Sequence, residues 1–143
     1  MTAGPIVVFP DAELVAVTVL RTGLAPGTHI GTEWPDGLLP KLNAGVVSVT
    51  RGGGAVAQRY VTEDVTLDID ILAATKSDAQ DLAQAVRAHL QAAEGTTVDG
   101  AQIYGVGDIS LIWLPYEPDA ETDLIPRYVL VMQMRLRALP VVP

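Results

Sequence analysis

Hydrophobic and polar positions alternate along this chain with two different periods, and each change of period marks a change of element. The clearest period of two is Val65-Thr66-Leu67-Asp68-Ile69-Asp70-Ile71. It predicts a half-buried strand with an apolar face and an acidic face. A longer alternation runs from about Arg127 to Ala138. There Tyr128, Leu130, Met132, Met134 and Leu136 share one face, while Val129, Val131, Gln133, Arg135 and Arg137 share the other. Pro140 ends that strand.

The helical period is strongest in the stripe Ala79, Leu82, Ala83, Val86, Leu90 and Ala93, capped by Ser77 or Asp78 and stopped by Gly95. Earlier, Pro10-Asp11-Ala12-Glu13 opens another helix, with acids where the helix dipole favours them. Leu14, Val17 and Leu20 recur at helical spacing and Gly23 supplies the stop, against the poor helix propensity of the β-branched run Val15 to Val19.

Shorter elements lie between. Residues 24–45 are rich in Gly and Pro, with a short strand expected around Thr28–Trp34. Val46 to Arg51 reads as a β-branched strand ended by Gly52-Gly53-Gly54. With Gly52 to Gln58 as the connection, it forms a hairpin with the strand at 65–71, carrying a long, mobile tip. After the second helix, Val98-Asp99-Gly100 begins a turn-rich stretch. Ala101–Val106 and Ile109–Leu114 read as short strands parted by Gly107-Asp108, and Pro115 to Pro126 as a loop. Hairpin connections and segregated helices predict one α+β domain over 1–143, with two helices on one face of a mainly antiparallel sheet.

Composition narrows the chemistry. A chain of 143 residues with 49% hydrophobic and 18% charged side chains suits a single globular domain. The net charge of −8 opposes wrapping of nucleic acid, whose affinity for proteins comes largely from Lys and Arg on phosphates. Zero cysteines exclude a disulfide framework, a zinc-thiolate site and a cysteine nucleophile. No basic leader precedes Ile6-Val7-Val8-Phe9, and no apolar run approaches the ~18 residues of a spanning helix. A soluble protein made in the cytoplasm is expected.

Motif by motif, structure explains the residues better than catalysis does. Arg51-Gly52-Gly53-Gly54 lacks the G-x-x-x-x-G-K-[S/T] pattern and a following helix, so it reads as a hairpin tip and not a phosphate loop. Asp68 and Asp70, with Glu63 and Asp64 nearby, read as a solvated sheet face, open to pairing with Arg135 and Arg137 if those strands are neighbours. Asp119-x-Glu121-x-Asp123 lacks the central glycine and distal glutamate of a calcium loop. His29 and His89 are lone histidines, and Ser48, Ser77 and Ser110 lie in no G-x-S-x-G setting. No catalytic residue, cofactor or metal is expected.

Taken together, the opening Phe9-Pro-Asp-Ala-Glu-Leu-Val helix, the strand Val46-Val-Ser-Val-Thr-Arg-Gly-Gly, the run Asp64-Val-Thr-Leu-Asp-Ile-Asp-Ile-Leu-Ala leading to Asp78-Ala-Gln-Asp-Leu-Ala-Gln-Ala-Val-Arg, and the closing Pro126-Arg-Tyr-Val-Leu-Val-Met-Gln-Met-Arg-Leu-Arg resemble the tail terminator proteins of long-tailed, siphovirus-like phages, actinobacteriophages above all. The resemblance implies a homomeric ring, usually of six subunits, that caps the head-proximal end of the tail tube. It implies a virion location and a sheet around a central channel. Partners would be further copies of the chain, the tail tube protein and head-completion or connector proteins. DNA would pass through without specific binding, and no membrane is involved. The glycine-rich loop would carry the subunit interface through Arg51, Gly52, Gly53, Gly54, Ala55, Gln58 and Arg59, ordering on assembly. Asp68 and Asp70 would face the channel. Head-closure (stopper) and tail-tube-like ring proteins share these broad features. A small ligand-binding or hydrolytic α+β domain is the alternative of another class.

Overall fold

The computed structural model describes residues 3–119, 121 and 123–141. In chain order the elements are β1 (Val7–Val8), α1 (Ala12–Gly23), β2 (His29–Gly31), a 3₁₀ turn at Leu39–Lys41, β3 (Val46–Gln58), β4 (Thr62–Leu72), α2 (Lys76–Ala92), β5 (Thr97–Val98), β6 (Ala101–Trp113), β7 (Arg127–Arg137) and β8 (Leu139–Pro140). The two strongly alternating segments, β4 and β7, pair antiparallel at the centre of a six-stranded sheet ordered β2-β3-β4-β7-β6-β5. Among the described residues only the β2–β3 pair is parallel. A separate pair, β1 with β8, ties the first described strand to the last.

Register decides the two faces. Leu67 stands opposite Met132 and Ile69 opposite Leu130, so every inward residue of one central strand meets an inward residue of the other. Both helices cover this face. Val15, Ala16 and Leu20 of α1, and Ala79, Ala83, Val86 and Leu90 of α2, close the core over Val65, Leu67, Ile69, Leu130, Met132 and Met134. The expected α+β architecture, with two helices on one face of a mainly antiparallel sheet, is what forms.

Helix ends follow local chemistry. Asp11 caps α1 by accepting the Leu14 N–H at 3.1 Å. Thr75 caps α2 through the Asp78 N–H at 3.1 Å, so the cap lies earlier than the expected Ser77 or Asp78. Val17 and Leu20 are buried as their spacing predicts, but Leu14 is half exposed and Val15 and Ala16 are buried in its place, because the apolar side of α1 is centred on Ala16 and Leu20. Gly23 matters for packing more than for termination. A Cβ there would lie 2.5 Å from the His89 imidazole, so the glycine admits the ring of α2 against α1.

Three further expectations are corrected. Residues 52–58 are not a loop: β3 runs through the glycines to Gln58, paired with β4, and the turn is Arg59-Tyr60-Val61. A bulge between Arg51 and Gly53 absorbs the extra glycine. Residues 101–106 and 109–114 are not separate strands; β6 is continuous, with Gly107 and Asp108 paired to β7 where a break was expected, and irregularities at Ile103/Gly105 and Asp108/Ser110. The strand expected over 28–34 is confined to His29–Gly31. β7 itself is a central strand, flanked by β4 and β6 on both sides.

Gly54 is the position where a side chain is least tolerable. Its φ is +127°, and an added Cβ would collide with the Asp64 carbonyl oxygen of the facing strand. Gly53, next to it, has nothing within 4 Å of such a Cβ. Gly54→Ala is expected to lower stability by about 1–3 kcal/mol, and Gly53→Ala to change it by no more than about 0.5 kcal/mol. Urea unfolding at one fixed protein concentration measures both; equal midpoints would contradict this strand geometry.

Candidate functional site

Alternation places a second set of residues on the face that the helices leave uncovered. β4 contributes Asp64, Thr66, Asp68 and Asp70, and opposite them β7 sets Arg135, Gln133, Val131 and Val129. β3 adds Ser48 and Thr50, and β6 adds Ser110 and Ile112. This is a polar face with a carboxylate row down its centre.

Arg135 and Asp64, directly opposite one another, make the pairing that neighbouring strands allowed. Nε and Nη2 of Arg135 donate to the two carboxylate oxygens at 2.7 and 2.9 Å. These hydrogen bonds from Arg135 hold the Asp64 carboxyl below its ordinary value, against a smaller opposing effect of burial. Arg137 instead donates to the Tyr104 hydroxyl at 3.0 Å. Asp68 lies over the Gly52 backbone, where a Cβ would strike its carboxylate.

The far end of the same face is closed by a small second core. Leu42, Val46, Leu72 and Ile125 are buried there, with Trp34, Leu38 and Tyr116 packed against them. Trp34 meets Tyr116 edge-on at 4.7 Å, and the Arg127 guanidinium lies 5.7 Å from each ring. The Trp34 indole N–H donates to Asp70 at 3.0 Å, and Arg127 stands 4.0 Å from the same carboxylate. Asp68 and Asp70 therefore share the polar face as expected, but differ in role. Asp70 anchors the closing loops, and Asp68 stays on the open part.

Residues assigned to the interface are dispersed by the extended strand. Arg51 turns to the helix side and makes a double hydrogen bond to Glu63, at 3.2 and 2.9 Å. Glu63 is the acid that the alternation carries onto the apolar face, and Arg51 supplies its charge partner. Gly52, Gly53, Gly54, Ala55 and Gln58 form an exposed strand margin, and Arg59 stacks on Tyr60 at 4.8 Å in the turn.

Two carboxylates cover backbone at the sheet margins, a role that the sequence pattern reveals for neither. Glu13 accepts the Arg51 N–H at 2.7 Å, and Glu94 accepts the Val106 N–H at 3.0 Å. Neither contact has a local signature, because each acts across a gap in sequence set only by the fold.

Two clefts flank the polar face. One, of about 490 Å³, is lined by Asp64, Glu94, Tyr104, Gln133 and Arg135. The other, of about 600 Å³, lies beside Trp34, Asp36, Leu38 and Tyr116. Among the described residues no group of three or more acids or histidines is placed to hold a metal ion. Asp119 of the acidic loop accepts the Glu121 N–H at 2.9 Å, a local turn contact. No helix among the described residues is long and apolar enough to cross a membrane. No protein-family model matches this sequence, and no curated protein matches it.

The Asp64–Arg135 pair carries a testable pH dependence. Because the folded-state pKa of Asp64 lies below its ordinary value of 3.8, the pair stabilises the fold at pH above that value. The contribution is lost as pH falls through the lowered pKa. Carboxyl NMR titration is expected to show Asp64 titrating below its ordinary value of 3.8, and Arg135→Gln to raise it back toward that value. An Asp64 that titrates identically in both proteins would contradict the pairing.

Proposed function

We propose that this protein is a structural virion protein. In this reading it is a homomeric ring, six-membered as in the tail terminators it resembles, that caps the head-proximal end of a phage tail tube. The supporting observation is the division of the sheet: both helices lie on one face, and the other is left as an open wall bearing Asp64, Thr66, Asp68 and Gln133. A wall of that kind suits the inside of a channel. Its carboxylates pair with arginines that share the face, Asp64 with Arg135 and Asp70 with Arg127, so the wall presents passing phosphates with little free positive charge, the reverse of a basic groove. The net charge of −8 agrees with it.

The activity is steric and not catalytic. One rim of the ring matches the last ring of the tube and stops its growth, while the other rim meets head-completion proteins. Both rims must differ, and the chain supplies different ends. The Arg59-Tyr60-Val61 turn projects at one end of the long strands, and the Trp34–Tyr116 cluster closes the other.

Deleting the gene from its phage should yield tails of uncontrolled length that do not join heads, as seen by electron microscopy. Tails of normal length left unjoined would assign the chain to head closure instead. Normal tails joined to filled heads would rule out both positions.

A further inference from the structure

Two margins of the sheet are uncovered, at diagonally opposite corners. On one side, β2 covers β3 only at Val46–Ser48, and Glu13 holds the Arg51 N–H, which points away from β4. Past the bulge, Gly53–Val56 keeps regular register with β4 and, among the described residues, has no strand on its outer side. On the other side, β5 covers β6 only at Ala101–Gln102, Gly95 and Thr96 bond Ile103, and Glu94 holds the Val106 N–H. Past its own bulge, Ser110–Trp113 runs regularly along β7, again with no described strand on its outer side. The two free runs are equal in length, carry no charged side chain, and point in opposite directions.

We propose that β3 of one copy pairs antiparallel with β6 of the next, setting Gly53 opposite Ile112, Gly54 opposite Leu111 and Ala55 opposite Ser110. The partner is a second copy of this chain, and the inference rests on the ring reading given above. This register keeps the faces in phase. Ala55 and Ser110 lie on the carboxylate face, and Gly54 and Leu111 on the helix face. It sets the exposed Ile112 over a glycine and brings together Val56 and Ile109, which are 51% and 56% exposed in the single chain. β2 and β5 flank the parts of β3 and β6 that the joint leaves unused. Hydrogen bonds along the joint satisfy both margins at once, and a head-to-tail contact of this kind closes into a ring.

Geometry supports closure. Across the sheet Ala55 stands level with Asp64 and Arg135, whereas Ser110 stands level with Val131. Each joint therefore steps the next copy along the strands by the spacing from Val131 to Arg135, about 13 Å. The long strands β3, β4, β7 and β6 together span about 19 Å. That step over that width tilts the strands by about 35°, at the lower end of the range found in closed barrels.

The hand of the step chooses which face lines the ring. Since the Arg51 N–H points away from β4, its pair-mate Leu67 directs its own N–H and C=O toward β7. The alternate residues Asp64, Thr66 and Asp68 then direct theirs toward β3. For an L-residue on an upward strand whose side chain faces the viewer, those groups point right. Seen from the carboxylate face with β4 upward, β3 thus lies on the right with its free run low. The free run of β6 is high on the left. The next copy on the right sits lower, so from the helix side the strands lean upward to the right. That is the lean of a closed right-twisted sheet viewed from outside. Helices lie outside and carboxylates inside.

The absence of cysteine from the chain makes the test direct. Ala55→Cys/Ser110→Cys, oxidised as assembled protein, is expected to give a ladder of covalent multimers ending at the ring size. Neither single variant should cross-link, and Ala55→Cys/Ile112→Cys should react more slowly. Rings of normal mass without a ladder overturn the strand pairing and leave the ring standing. Covalent dimers from Ala55→Cys alone overturn it in favour of a two-fold joint. A chain that is monomeric both in solution and in particles overturns pairing and ring together. In the unsubstituted protein, amide exchange at Gly54 and Leu111 should be slower in the assembled fraction than in dilute monomer; equal exchange also overturns the pairing.

Discussion

The antiparallel pairing of β4 with β7 is the constraint on which the rest depends. Because side chains alternate, one register sorts both strands at once. Leu67, Ile69, Leu130, Met132 and Met134 go to the helices, and Asp64, Thr66, Asp68 and Gln133 go to the open side. A slip of one residue would put the carboxylates under α1 and α2. Fully burying each large aliphatic side chain contributes roughly 1.5–3 kcal/mol, so a slipped register forfeits several such terms together. The bidentate Asp64–Arg135 pair reports the same register from the polar side.

Given that centre, the sheet margins become the next problem. An uncovered strand offers backbone groups to any passing strand. Here β2 and β5 cover only part of each margin, and Glu13 and Glu94 each occupy the first N–H beyond them. The bulges of β3 and β6 fall next to these carboxylates and delimit what remains. The open stretches are short, uncharged and flanked by acids, which restricts what can pair with them without sealing them.

The second core gives the polar face its two unlike ends. Trp34 and Tyr116 come from loops far apart in sequence, and they meet over Leu72, Val46 and Ile125. Asp70 accepts the indole N–H, and the Arg127 guanidinium lies near both rings. A strand residue that alternation assigns to solvent is thereby half enclosed. The other end, at the Arg59-Tyr60-Val61 turn, has no such cover.

Local periodicity by itself determined a good deal: both helices, the strands at 65–71 and 127–137, the α+β class, and the face on which Asp68 and Asp70 lie. Those features depend on side-chain spacing within one element, which a sequence displays directly. Only the tertiary structure decided that residues 52–58 are strand. Glycine and alanine have low β propensity, and β4 imposes the extended form by supplying hydrogen-bond partners. It likewise decided that β6 is continuous through Gly107-Asp108, since β7 bridges the irregularity. The capping of strand margins by Glu13 and Glu94, and the meeting of Trp34 with Tyr116, depend on distances between elements. No local pattern encodes those distances; packing of the apolar face sets them.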